Sequence, residues 1–149
     1  MSLKPQIHKA FLEIVDGKIF QLQQTLADLK ESGTNETKST AGDKHETALA
    51  MLQIEQANKR AQLQDAIEQR AALTNIHTEN KTTKVWNGSL VKTDKGFFYI
   101  SVALGKLNIN GKSITAISPQ SPLGALLIGR ISLESVTVNG NNFLIEGIE

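Results

Sequence analysis

A stretch of more than thirty residues without glycine or proline is the strongest constraint on how this chain folds. It covers residues 43–76 and is rich in Ala, Gln, Glu and Leu, the composition of a long α-helix. The preceding segment, residues 5–31, is also predicted to be helical. Its apolar residues are spaced like a coiled-coil seam: Phe11, Val15, Ile19, Leu22, Leu26 and Leu29.

The two predicted helices are joined by a polar segment. Pro5 suits the first turn of helix one, and Ser32-Gly33 predicts its end. Residues 33–42 contain no large apolar side chain, which predicts an exposed turn. Helix two has a less regular stripe, with Ala50, Ile54, Ala57 and Ala61 on one face and a drift to Leu63, Ile67 and Leu73. We expect an antiparallel hairpin of about 40–45 Å that projects from the rest of the protein.

Beyond residues 78–84 the pattern changes to short β-rich segments separated by turn residues. Strands are predicted at residues 85–91, 97–102, 113–118, 134–138 and 143–148, forming a small antiparallel sheet. The turns between them are predicted at residues 94–96, 110–111 and 139–141. Ser121-Pro122 predicts the start of a short helix over residues 123–128, and Gly129 its end. The predicted fold class is α+β, with a helical hairpin over residues 1–80 and a β-rich domain over residues 81–149.

Composition excludes several classes of protein. The chain has no cysteine, and so no disulfide framework, thiolate nucleophile or Cys-ligated metal. Its 16 Lys plus Arg against 15 Asp plus Glu give a net charge of +1, which provides no broad attraction for duplex DNA or an anionic membrane. No apolar run is long enough for a signal peptide or a membrane span. We expect a cytoplasmic protein with no membrane partner.

Three motifs for autonomous chemistry fail on spacing. His45-Glu46 begins like a zinc-protease HExxH, but Leu49 takes the place of the second histidine. Gly105 and Gly111-Lys112-Ser113 have the wrong separation for a phosphate loop, so a β-turn is expected. The three histidines are far apart, and no Ser, His and Asp grouping follows from spacing. Four aromatic residues could stack nucleic-acid bases, although alternate residues of a strand are more often core: Trp86, Phe97, Phe98 and Tyr99.

Two carboxylates lie where the predicted hairpin reverses, in the segment GDKHETA at residues 42–48. Asp43 and Glu46 have the spacing of a capping box, in which they would only close the end of a helix. The alternative is that they form a pair of oxygen donors for a hard cation such as Mg²⁺. Because Mg²⁺ prefers six oxygens, two carboxylates make chemical sense mainly if a partner supplies the rest of the shell.

This order of elements, together with two motifs, resembles the bacterial transcript-cleavage factors GreA and GreB over nearly the whole chain. Residues 42–48 are similar to the family's G-D-x-x-E-N-A, with Thr47 where the family usually has Asn. Residues 117–129, ISPQSPLGALLIG, resemble the family's S-x-x-S-P-[IL]-[AG]-x-x-[LI]-[LI]-G.

The resemblance implies an accessory factor, not an autonomous enzyme. An FKBP-like C-terminal domain would dock at the secondary channel of RNA polymerase, and the hairpin would enter the channel. Asp43 and Glu46 would help hold an Mg²⁺ ion shared with the polymerase, so that the polymerase cleaves a backtracked transcript. Lys38 and Lys44 could attract the phosphates of the transcript RNA, or could simply be solvated lysines. We expect a monomer.

Three other functions stay open. A protein of this architecture could occupy the channel and inhibit the polymerase, with the change at Thr47 preventing productive metal placement. The implied FKBP-like fold also occurs in peptidyl-prolyl isomerases, although fold alone is weak evidence of activity. Finally, the chain could be a coiled-coil adaptor in which Asp43 and Glu46 are only helix caps.

Overall fold

The described residues form two long helices followed by a six-stranded sheet and one short helix, which confirms the α+β class. The computed structural model describes residues 3–37 and 43–149, and the side chains of residues 3–33 and 46–149. Helix α1 is Lys4–Thr37 and helix α2 is Asp43–Thr74. The strands are β1 Leu90–Thr93, β2 Gly96–Ile100, β3 Gly105–Ile109, β4 Lys112–Ile117, β5 Ser135–Val138 and β6 Asn141–Ile148, with helix α3, Pro122–Leu127, between β4 and β5.

The predicted seam of α1 is confirmed. Phe11, Val15 and Leu22 are buried, and the other three positions of the seam are partly buried. The predicted end at Ser32-Gly33 is wrong, because the helix continues to Thr37. A Cβ atom at Gly33 would lie 3.0 Å from Leu52 Cδ2, so this glycine permits a close approach of two helices and does not stop α1.

The predicted start of α2 is confirmed, and so is the drift of its inward face to Leu63, which is partly buried, and Leu73, which is fully buried. The rest of the predicted face is wrong, and Ile67 is 43% exposed. Ile54 is 62% exposed, and Ala50, Ala57 and Ala61 are exposed with it. The inward face includes polar residues and consists of Leu52, Gln56, Lys59, Leu63, Ala66, Gln69 and Leu73. Ala-rich helices offer several weakly apolar faces, and packing against α1 selects among them.

The two helices run antiparallel, as predicted. The Arg70 Nε donates to Asp16 Oδ1 at 2.5 Å, and Gly33 lies beside Leu52 further along the pair. Moving forward along α1 therefore means moving backward along α2, which defines an antiparallel register.

The sheet is mixed, whereas an antiparallel sheet was predicted. Its strand order is β3-β4-β2-β1-β6-β5, and four neighbouring pairs are antiparallel. The fifth pair, β2 with β4, is parallel, because β3 crosses back and forms a hairpin with β4. Strand β3 was not predicted, and the first strand begins at Leu90 instead of residue 85.

The three predicted turns are confirmed, and each contains a residue with positive φ. Gly96, at the end of the turn between β1 and β2, has φ of 110°. Asn110 and Gly111 have φ of 53° and 76° between β3 and β4. Asn139 and Gly140 have φ of 51° and 81° between β5 and β6. Asn-Gly tolerates this left-handed pair of conformations, which matches the twist of the flanking strands.

Packing divides the chain into two compact units: residues 1–12 with residues 71–149, and residues 13–70. The domain boundary at residue 80 stays a prediction. In the first unit, α3 covers one face of the sheet over a core of Val85, Val91, Ile100, Leu127, Val136 and Ile145. The first turns of α1 belong to the same unit, where Phe11 stacks on Tyr99 with ring centroids 6.2 Å apart.

No helix in the described part of the chain has both the length and the apolarity to cross a membrane.

Burial of His8 should make the stability of this unit depend on pH. His8 Nδ1 lies 2.7 Å from the Tyr99 hydroxyl oxygen, and burial raises the pKa of Tyr99, so the phenol remains a donor. Burial also lowers the pKa of His8 below the ordinary value of 6.5. Between the pKa of His8 in the folded protein and its higher pKa in the unfolded chain, the unfolded chain binds a proton that the folded protein does not. The free energy of unfolding therefore rises with pH in this range.

We therefore expect the free energy of unfolding to fall as the pH drops through 6.5 toward the lower pKa of folded His8. The His8→Asn variant keeps an acceptor for Tyr99 without titrating, so its stability should depend less on pH. Urea denaturation at a series of pH values measures both slopes. Equal slopes for the variant and the original protein would contradict this role for His8.

Candidate functional site

The two predicted metal-ligating carboxylates lie in the first turn of α2. The helix begins at Asp43, so Asp43 and Glu46 are three residues apart and share one face of it. Glu46 is exposed to solvent. The side chain of Asp43 lies outside the described residues, and the capping alternative for this pair therefore stays a prediction.

The position of the pair suits negative charge. The first turn of a helix presents unsatisfied backbone N–H groups and the positive end of the helix dipole. Carboxylates are stabilised there whether they cap the helix or bind a cation. The same position therefore favours both interpretations of Asp43 and Glu46.

The chemistry of the donor set fits part of an Mg²⁺ shell. Carboxylate oxygens are the ligands that this ion prefers, and it commonly takes one or two of them from a protein and the rest from water and phosphate. Among the side chains that the structure describes, no three His, Asp or Glu residues converge on a common point. A cation at Asp43 and Glu46 would thus need further ligands from elsewhere.

The predicted RNA-contacting lysines are only partly described. Lys38 lies outside the described residues. Lys44 is the second residue of α2, and its side chain is not described. Thr47, where the resembled family usually has Asn, follows Glu46 in α2 and is exposed.

The second motif, residues 117–129, forms the turn into α3 that was predicted. Ser121 is the N-cap: its Oγ accepts from Gly124 N at 3.0 Å and donates to Ser118 O at 2.6 Å. Pro122 follows as the first helical residue, and Gly129, with φ of 84°, ends the helix. A Cβ atom at Gly124 would lie 2.1 Å from Ser118 O, so the turn and the helix are in close contact.

Replacing this N-cap should destabilise the first unit. We expect Ser121→Ala to lower the free energy of unfolding by about 1 kcal/mol, because the Gly124 N–H loses its acceptor. Ser113→Ala, at an exposed position of β4, is the matched control and should change it by less than about 0.5 kcal/mol. Thermal denaturation of both variants makes the comparison, and equal losses would contradict the capping role.

The aromatic residues do not share one role. Tyr99 is fully buried, as the core interpretation predicts, and Phe97 and Phe98 are partly buried. Trp86 is 63% exposed, so the core interpretation is wrong for this residue. Gly111 lies in a hairpin turn and Lys112 begins β4, which confirms the predicted β-turn.

Sequence reasoning missed Lys4, whose side chain is almost completely buried. The residue is 3% exposed, and its Nζ donates to Asn80 O at 2.8 Å. The signal was present, since Lys4 lies one heptad before Phe11 and therefore on the inward face of α1. The predicted seam was not extended back through this charged residue.

Neither a scan against protein-family models nor a search of curated proteins finds a match for this chain.

Proposed function

We propose that this chain is a GreA/GreB-type factor that binds bacterial RNA polymerase and stimulates cleavage of backtracked transcripts. The start of α2 is the observation that carries the proposal. A 32-residue helix begins at Asp43, which puts the two acidic residues of the GDKHETA segment in its first turn with Glu46 in contact with solvent. An acidic pair in the first turn of a long helix can reach a cation held by another molecule.

Each part of the chain has a distinct task in this proposal. Asp43 and Glu46 donate carboxylate oxygens toward a metal-binding centre of the polymerase, and Lys38 and Lys44 attract the phosphates of the transcript. The shared Mg²⁺ supplies activation of water and stabilisation of the leaving oxygen. The helix that begins at Asp43 is 32 residues long, and an α-helix rises by about 1.5 Å per residue.

The C-terminal sheet and α3 are proposed to be FKBP-like and to dock on the polymerase. The support is the residue pattern of the second motif together with its local geometry, an N-cap at Ser121 followed by Pro122. The factor is proposed to act as a cytoplasmic monomer that has no nuclease activity without the polymerase.

Two measurements test the proposal. The purified chain should be retained by immobilised RNA polymerase, and it should shorten the RNA of a halted elongation complex only when Mg²⁺ is present. Slower RNA synthesis without shortening would instead identify a channel-binding inhibitor. Absence of retention would favour a coiled-coil adaptor, and accelerated isomerisation of a proline peptide would favour a prolyl isomerase.

A further inference from the structure

Strand β3 forms one edge of the sheet. Among the described strands it pairs only with β4, to which it is joined by the turn Asn110-Gly111. Ile109 and Lys112 lie opposite each other on either side of this turn. In a two-residue hairpin the residues that flank the turn exchange both of their backbone hydrogen bonds, and bonded and non-bonded positions then alternate along each strand. Every second residue of β3 therefore directs its N–H and C=O groups away from the sheet.

The outward backbone groups of β3 belong to Lys106 and Asn108. Both residues are exposed, and no other described segment bonds to their N–H or C=O groups. Leu107 and Ile109, which bond to β4, are only partly buried, so part of their surface also faces solvent. The edge thus combines unpaired hydrogen-bond donors and acceptors with uncovered apolar surface, which are the features that an added strand requires.

The charge of this part of the sheet determines what kind of strand fits. Residues 95–133, which include β2, β3, β4 and α3, contain no aspartate or glutamate but four basic residues, namely Lys95, Lys106, Lys112 and Arg130. The first and last of these form ion pairs with the acidic residues that flank the stretch. Lys106 and Lys112 form no ion pair with any described residue. Acidic residues in an added strand would offset this charge, since opposite charges on neighbouring strands attract.

A second copy of the chain suits this edge less well than an acidic partner does. Pairing of β3 with β3 of another copy would add a second Lys106 and a second Lys112 to the same edge. Like charges on neighbouring strands are destabilising, and β3 and β4 have no acidic residue to compensate for them. The charge of the edge therefore favours a different protein.

We propose that β3 binds an extended, acidic segment of a partner protein as an additional strand. The outward groups of Lys106 and Asn108 supply the backbone hydrogen bonds, and an acidic residue of the segment faces Lys106. Because side chains alternate along a strand, apolar residues of the segment cover Leu107 and Ile109 on the other face. The site lies apart in sequence from the acidic pair at the start of α2. It does not depend on the transcript-cleavage function proposed above, and either proposal can fail without the other.

Amide hydrogen exchange of the full-length chain, followed by NMR, tests the proposed pairing. The probe is a short synthetic peptide that alternates glutamate with valine. The N–H groups of Lys106 and Asn108 should exchange quickly in the free protein, and saturating peptide should slow them at least tenfold. Those of Leu107 and Ile109 bond to β4 in both states and should change less. If the peptide did not bind, or if it bound without slowing Lys106 and Asn108, the proposal would be overturned.

Two further ligands test the chemistry of the partner. A peptide with lysine in place of glutamate should bind at least tenfold more weakly, and equal affinity would contradict the preference for acidic residues. A single-stranded oligonucleotide would also be attracted by the lysines, but it has no ladder of amide groups for the edge to pair with. An oligonucleotide that bound more tightly than the glutamate peptide would identify a nucleic-acid surface and contradict the proposal.

Variants locate the added strand, with calorimetry as the readout. Asn108→Pro removes an outward N–H group at an edge position, where proline is tolerated, and should weaken binding of the glutamate peptide at least tenfold. Thr137→Pro is the matched control, because Thr137 has the equivalent place in the hairpin at the opposite edge of the sheet. It should leave the affinity unchanged. Equal effects of the two substitutions would contradict the assignment to β3.

Lys106→Glu tests the charge without altering the backbone, and it keeps the proposal falsifiable if Asn108→Pro fails to fold. It should reduce the preference for the glutamate peptide over the lysine peptide at least threefold. Lys92→Glu, at an exposed position of β1, makes the same change in net charge on the far side of β4 and β2 and should not reduce it. An unchanged preference in Lys106→Glu, or an equal reduction in both variants, would contradict the contact with Lys106.

Discussion

The double variant Asp43→Asn, Glu46→Gln is expected to lose stimulation of transcript cleavage while still binding RNA polymerase. Both substitutions keep the size and polarity of the side chain and remove its charge. Loss of a group that merely orients a metal ligand typically costs 10- to 100-fold, so the loss of two proposed ligands should cost about 100-fold or more in cleavage rate. Cleavage rates are measured on a halted elongation complex, and polymerase retention is measured in parallel.

The chain offers a matched control for this variant. Asp28 and Glu31 are also three residues apart, and both are exposed on α1. Asp28→Asn, Glu31→Gln therefore removes the same charge from the hairpin without touching the start of α2, and it should leave cleavage unchanged. Equal loss in the two variants would point to net charge as the cause. Full cleavage by the Asp43, Glu46 variant would contradict the roles proposed for these carboxylates.

Phe11→Ala is expected to lower the free energy of unfolding more than Ser121→Ala does. Phe11 is fully buried, and its ring is stacked on that of Tyr99 at an interplanar angle of 22°. Truncation removes the stacked ring and leaves a cavity beside Ile7, which is also fully buried. Such a change in a packed core costs about 3–5 kcal/mol, a large share of the roughly 5–15 kcal/mol that stabilises a domain.

Phe20→Ala is the control for this prediction. Phe20 is on the same helix, but it is 63% exposed, so its truncation should change the free energy of unfolding by less than about 0.5 kcal/mol. Urea denaturation measures both variants. A small loss for Phe11→Ala would mean that the first turns of α1 contribute little to the unit that contains the sheet.

Local signals in the sequence predicted the elements of this fold well. The seam through Phe11, Val15 and Leu22, the Asn-Gly turns and the Ser121 cap all depend on neighbours within a few residues. Such features follow from helical periodicity and backbone conformation, which the sequence displays directly.

Features that depend on tertiary contacts were not predictable in the same way. Gly33 looks like a helix stop, but it lies inside α1, and a Cβ atom there would lie 3.0 Å from Leu52 Cδ2 of the other helix. The face of α2 that carries Ile54 is apolar enough for a core, yet α1 covers another face. The parallel pairing of β2 with β4 joins strands that are not consecutive, and the residue pattern of either strand does not predict its partner.

The candidate sites also differ in whether they depend on local spacing or on tertiary contacts. The spacing of Asp43 and Glu46 is local, and the sequence alone puts both in the first turn of one helix. The place of β3 at an edge depends on the order of strands in the sheet, so this site could be identified only from the folded chain.

The most direct test of the proposed function follows the length of RNA labelled at its 5′ end in a backtracked elongation complex. With Mg²⁺ present, addition of the full chain should shorten the labelled RNA, and the shortened RNA should be extended when nucleotides are supplied. RNA that keeps its length, in a complex to which the chain is demonstrably bound, would contradict the proposal that Asp43 and Glu46 complete a metal site of the polymerase.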